Sequence, residues 1–90
     1  MVHIGKMIKK VLKQRGKTVV WLASELSCHR TNIYKIFARK SIDTQDLMLI
    51  SSLLEYDFFA AYSSDFEKYR ERQTISVKDK MLGGKALEEL

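Results

Sequence analysis

Ile4, Met7, Ile8, Val11 and Leu12 recur three and four positions apart, and Lys6, Lys9, Lys10 and Lys13 fill the places between them. That spacing predicts an amphipathic helix ending near Arg15-Gly16, where glycine can take the left-handed conformation of a helix terminus. The same stripe would also suit an anionic membrane surface, but it is short and the segments that follow offer it a core. Thr18 has the chemistry of an N-cap for a second helix, from Val19 to about Leu26. Leu22, Ala23 and Leu26 form its inward side, with Val19 as a further member. The small Ala23 suits a close helix crossing. Trp21 is left with two places, the edge of the core or the neighbourhood of a bound backbone.

Ser27 and Cys28 make a short turn, and Cys28 or His29 precedes a third helix, from about Arg30 to Ala38. Its spacing requires Ile33 and Ile36 inside and leaves Phe37 open to either face. Ser41-Ile42-Asp43 leads into a fourth helix, with Asp43 as cap and Asp46 in the first turn, where exposed amides favour negative charge. Leu47, Ile50, Leu53 and Leu54 give it a broad apolar face. Asp57 can cap a fifth, short helix holding Phe58, Phe59, Ala61 and Tyr62. One continuous helix from Asp43 to Tyr62 is the alternative, since neither Gly nor Pro interrupts that stretch. From Ser63 onward the chain turns polar, with Phe66 and Tyr69 as optional returns to the core. Thr74 to Val77 alternates weakly, as a short strand or an extended tail would. The expected organisation is a helical domain over residues 1–65 and a C-terminal extension over 66–90, helical or flexible, with no internal repeat.

Length and composition narrow the class. Ninety residues suit one compact domain, and 46% hydrophobic with 30% charged residues is ordinary for a globular chain. The single cysteine, Cys28, excludes an intrachain disulfide, and His3 and His29 alone do not complete a metal site. A reduced, cytoplasmic setting is therefore expected, with no metal and no cofactor. Leu47 to Tyr62 is the most apolar stretch, but Glu55, Asp57 and the Ser51-Ser52 pair argue against a membrane span. No phosphate-binding glycine loop or paired-acid motif points to an enzyme. Asp43, Asp46, Glu55 and Asp57 are read more simply as caps and polar-face residues.

Charge changes the picture more. The net charge of +5 is unevenly spread: residues 1–42 hold ten Lys or Arg against one acid, Glu25, while residues 43–90 hold six bases against ten acids. A field with that direction suits a polyanion as partner.

Within the basic half, TVVWLASELSCHRTNIYKIFARK at residues 18–40 resembles the helix-turn-helix core of the phage-repressor-like (Cro/C1, XRE) transcriptional regulators. The resemblance rests on Leu22-Ala23 in the scaffold helix, Ser27, Cys28 and His29 in the turn, and Ile33 and Ile36 in the next helix. The leucine-rich segment from Asp43 to Leu54 resembles the family's fourth helix, so the likeness covers about residues 4–62. It implies an all-α, compact four- to five-helix lambda-repressor-like domain with a polar C-terminal tail. It also implies that the chain binds double-stranded DNA, generally a palindromic operator, as a homodimer. Four positions depart from the family pattern. Val19 stands where a phosphate-contacting Gln is common, Ser27 replaces the turn glycine, and His29 replaces the usual capping Ser. Phe37 occupies a place that is often acidic.

In such an arrangement the second helix crosses the DNA backbone and the third enters the major groove, where each base pair shows a distinct donor and acceptor pattern. Arg30, Asn32 and Thr31 are the base-reading candidates: Arg30 through paired bonds to guanine, Asn32 through adenine's donor-acceptor edge, Thr31 through a methyl or hydroxyl. Lys17, His29, Tyr34, Lys35, Arg39 and Lys40 are the phosphate candidates, setting affinity and register without reading sequence. Lys6, Lys9 and Lys10 are equally explained as a solubilising face. The competing expectation is a non-catalytic protein-interaction or antitoxin-like module on the same fold. Trp21, Phe37, Phe58, Phe59 and the C-terminal tail would then form an apolar partner surface on the side carrying Arg30.

Overall fold

A computed structural model describes residues 1–72. The described residues are all-helical, in the order α1 (Ile4–Gln14), α2 (Val19–Glu25), α3 (Arg30–Phe37), α4 (Thr44–Leu54) and α5 (Phe59–Arg72). The alternation at 74–77 and the glycine pair at 83–84 lie outside them.

The starts of the helices follow from short polar side chains. Thr18 Oγ1 accepts from the Trp21 amide at 3.0 Å, Asp43 Oδ1 from Gln45 at 2.7 Å, and Asp57 Oδ1 from Phe59 at 3.0 Å. Each satisfies one of the amides that a helix start leaves without an internal partner. His3 does the same for α1, its Nδ1 accepting from the Lys6 amide at 3.2 Å.

Three of the helices close in one way. After α1 the Gly16 amide donates to Lys13 and the Lys17 amide to Leu12; after α2 the Ser27 amide donates to Ser24 and the Cys28 amide to Ala23. After α4 the Glu55 amide donates to Ser52 and the Tyr56 amide to Ser51. This pair of bonds requires a residue in the left-handed region, and Gly16, Ser27 and Glu55 fill it with φ of 70°, 54° and 51°. The break at Glu55 decides between the two expectations for residues 43–62: there are two helices, and α5 continues well past Tyr62. The expected division between residues 65 and 66 falls inside α5, which Asp57 starts and no Gly or Pro interrupts.

Ile4, Ile8, Val11, Leu12, Leu22, Ala23, Ile33, Phe37, Leu47, Ile50, Leu54 and Phe58 form the core. Phe37 therefore faces inward, whereas Ile36, Met7, Leu26 and Leu53, all expected as core, are half-buried at its edge. Trp21 also takes an edge position. Phe66 and Tyr69 do not return to the core; they are 43% and 44% exposed on α5. The exposed flank of α5 instead carries an ion pair between Glu67 and Arg70, at 3.1 Å.

Two long-range ties hold α1 in place. The Ile4 and Gly5 amides donate to the Lys40 and Arg39 carbonyls, both at 2.9 Å. The free donors at the start of α1 thus meet acceptors just beyond α3. Gly5 permits the approach, because a Cβ there would lie against the carbonyl oxygens of Ile36 and Phe37 and 2.6 Å from the Phe37 carbonyl carbon. At the other end of α1, Arg15 reaches the last turn of α4. Its Nε donates to the Leu54 carbonyl and its Nη2 to the Glu55 carbonyl, both at 2.9 Å.

Candidate nucleic-acid interface

The eight residues of α3 pack against both α1 and α2. At about 3.6 residues per turn, burial of Ile33 and Phe37 turns Thr31 and Lys35 outward. Tyr34 occupies one flank of that face and Asn32 the other, while Arg30 stands on the side of Phe37, exposed because it begins the helix. All five are exposed. The base-reading candidates thus form the exposed first turn of α3, immediately after the turn from α2.

The phosphate candidates spread around this helix. His29 holds the N-cap position in extended conformation, but its side chain makes no capping bond. Its imidazole is exposed, and so are Lys35 in the last turn and Arg39 and Lys40 just beyond it. Tyr34 is 57% exposed and meets Phe37 edge-on, with ring centroids 6.1 Å apart. Lys17 lies beside the start of α2 with its Nζ 5.0 Å from the Trp21 ring centroid. That cation-π contact holds the ammonium at the edge of the core while leaving its remaining donors to solvent.

All ten Lys and Arg side chains of residues 1–42 are exposed, and none forms an ion pair among the described residues. Arg15 is the exception to their availability, since its guanidinium is turned onto the end of α4. Sequence spacing carried no sign of this, because the partners lie 39 and 40 positions away.

Between α2 and the start of α3 lies an open groove of about 330 Å³, lined by Val20, Ala23, Ser24, Cys28, His29 and Arg30. Sequence reasoning picked out Arg30 and His29 but missed Val20, which is 60% exposed. The only signal for it was an apolar residue on the polar side of α2. Val19, standing at the position where the resembled family has Gln, is half-buried against the core.

Among the described residues the aromatic surface expected for a protein-interaction module is not assembled, while most of the tail expected to join it lies outside them. Phe58 is fully buried and Phe37 is 9% exposed, while Trp21 and Phe59 pack against the core. Among the described residues no group of three or more His, Cys, Asp or Glu could hold a metal ion, and no helix is long and apolar enough to cross a membrane. No family model, curated protein or solved structure matches this chain.

Proposed function

We propose that this chain is a helix-turn-helix transcriptional regulator that binds double-stranded DNA sequence-specifically, with α3 in the major groove. The observation that carries the proposal is the outward face of α3. Arg30, Thr31, Asn32, Tyr34 and Lys35 are exposed together on a helix whose other side is anchored in the core. They stand within a half of the chain that holds ten bases and one acid. A short helix with donors on its free face is the form of element that the major groove admits. The surrounding unpaired cations are of the kind that neutralise phosphates and release counterions.

In this reading Arg30 reads guanine, Asn32 reads adenine, and Thr31 contacts a thymine methyl or a phosphate. Lys17, His29, Tyr34, Lys35, Arg39 and Lys40 hold the backbone. The chain acts as a homodimer on a palindromic site, as the resemblance to the phage-repressor-like regulators implies, and blocks or recruits polymerase there. The interaction-module alternative loses support with Phe37 and Phe58 inside the core.

The test is selection from a random duplex library at two salt concentrations, with solution mass measured alongside. One sequence is expected to be enriched, with affinity falling steeply as salt rises. Arg30→Ala is expected to keep its helicity and lose preference at one base pair, by about 1–3 kcal/mol. Equal affinity of the unaltered protein for selected and scrambled duplexes would exclude sequence-specific binding.

A further inference from the structure

The groove between α2 and α3 has a composition that the contacts proposed so far do not use. Val20, Ala23 and Cys28 give it apolar walls, while Ser24, His29 and Arg30 supply its polar members. Val20, 60% exposed, is in the first turn of α2, and Arg30 is the first residue of α3. An isolated exposed valine needs no explanation. One that lines a groove together with the leading base-reading arginine has a specific chemical counterpart.

We infer that this groove receives the 5-methyl group of a thymine beside the base pair read by Arg30, with Val20 as the specificity-determining contact. The inference rests on the DNA-binding reading and deepens it. The occupant follows from the chemistry of the two surfaces. The exposed Arg30 in the groove, within a half of the chain that holds ten bases and one acid, favours a polyanion over an apolar peptide. On the major-groove edge of duplex DNA, donors and acceptors are shared among the four bases, whereas the thymine methyl is the apolar feature. A guanidinium and an apolar wall in one groove thus match a guanine and a neighbouring thymine. The same contact gives Val20 a role on the DNA-facing side of α2, although Val19 leaves that helix without the family's Gln.

The methyl can be removed without changing any hydrogen bond, by replacing thymine with deoxyuridine. The full chain and its Val20→Ala variant are titrated against the selected duplex with each thymine so replaced in turn. Loss of one buried methyl corresponds to about a fourfold weakening. The unaltered protein is expected to show it at a thymine in each half-site beside the base pair read by Arg30, and Val20→Ala is expected to bind thymine and uracil duplexes alike there while keeping any methyl effect that Thr31 makes at another thymine. Val20 stands outside the core, so the variant is expected to fold, with circular dichroism as the check. A preferred duplex bound equally well with and without its thymine methyls would overturn the inference alone. So would a Val20→Ala variant that still discriminates as the unaltered protein does. A selection that enriches no sequence would remove the DNA-binding reading, and this inference with it.

Discussion

Replacing glycine by alanine inside a helix ordinarily stabilises it by up to about 1 kcal/mol, because glycine loses more backbone freedom on folding. At Gly5 the opposite sign is expected. The added methyl has no room, for it would meet the Ile36 and Phe37 carbonyl oxygens and lie 2.6 Å from the Phe37 carbonyl carbon. These are backbone atoms at the end of α3, which no side-chain rotation can move aside. Relief therefore requires α1 and α3 to separate, which lengthens the 2.9 Å bonds from the Ile4 and Gly5 amides. Each such bond contributes about 1 kcal/mol net. Shifting a packed contact costs about 1–3 kcal/mol more. After the propensity gain is set against this, Gly5→Ala is expected to lose about 2–4 kcal/mol, a large fraction of the stability of a small domain. Urea denaturation followed by circular dichroism measures it, as a lower midpoint at unchanged slope. A midpoint equal to or above that of the unaltered protein would refute the close approach of the two helices.

Ser27→Gly is expected to raise stability by about 0.5–1 kcal/mol. A left-handed residue with a Cβ costs about 1–2 kcal/mol, of which glycine's greater freedom when unfolded takes back a part. Thermal denaturation would show the gain as a rise of several degrees, and an unchanged or lower midpoint would mean that Ser27 is not strained. Arg15→Ala is expected to lose about 1–2 kcal/mol, since two carbonyls at the end of α4 lose a charged donor where solvent can partly replace it. Arg15→Lys should recover only part of that, because an ammonium lacks the fork that meets both carbonyls; equal stability of all three proteins in urea would deny the tie any weight.

Much of the helical plan was legible because its signals are local. Thr18, Asp43 and Asp57 each cap the helix they announce, and Gly16 ends the one it follows. Three- and four-residue periodicity identified the core faces of α1 and α4. Legibility failed where a residue acts against its ordinary preference. Glu55 takes the left-handed position that glycine usually holds, so the end of α4 carried no glycine to mark it and Asp57 alone signalled the division from α5. Phe37 was ambiguous because the short period of α3 allowed either face, and packing against α1 and α2 decided it. The ties made by Gly5 and Arg15 were invisible for another reason, since they join positions more than thirty residues apart. At the candidate interface, the residue types along α3 could be named in advance. The groove could not, because Val20 and Arg30 meet only through the geometry of the turn at Ser27.

Main-chain atoms grip α3 at both ends. At its start the Ser27 and Cys28 amides are fastened to α2, and just beyond its end the Arg39 and Lys40 carbonyls are fastened to α1. None of those bonds involves a side chain on the outward face. Arg30, Thr31, Asn32 and Lys35 can therefore be exchanged for other helix-compatible residues with changes in stability of about 0.5 kcal/mol or less each. The frame and the lettering it displays are separately adjustable, so new targets are open to this domain through a handful of surface replacements, without rebuilding the interior.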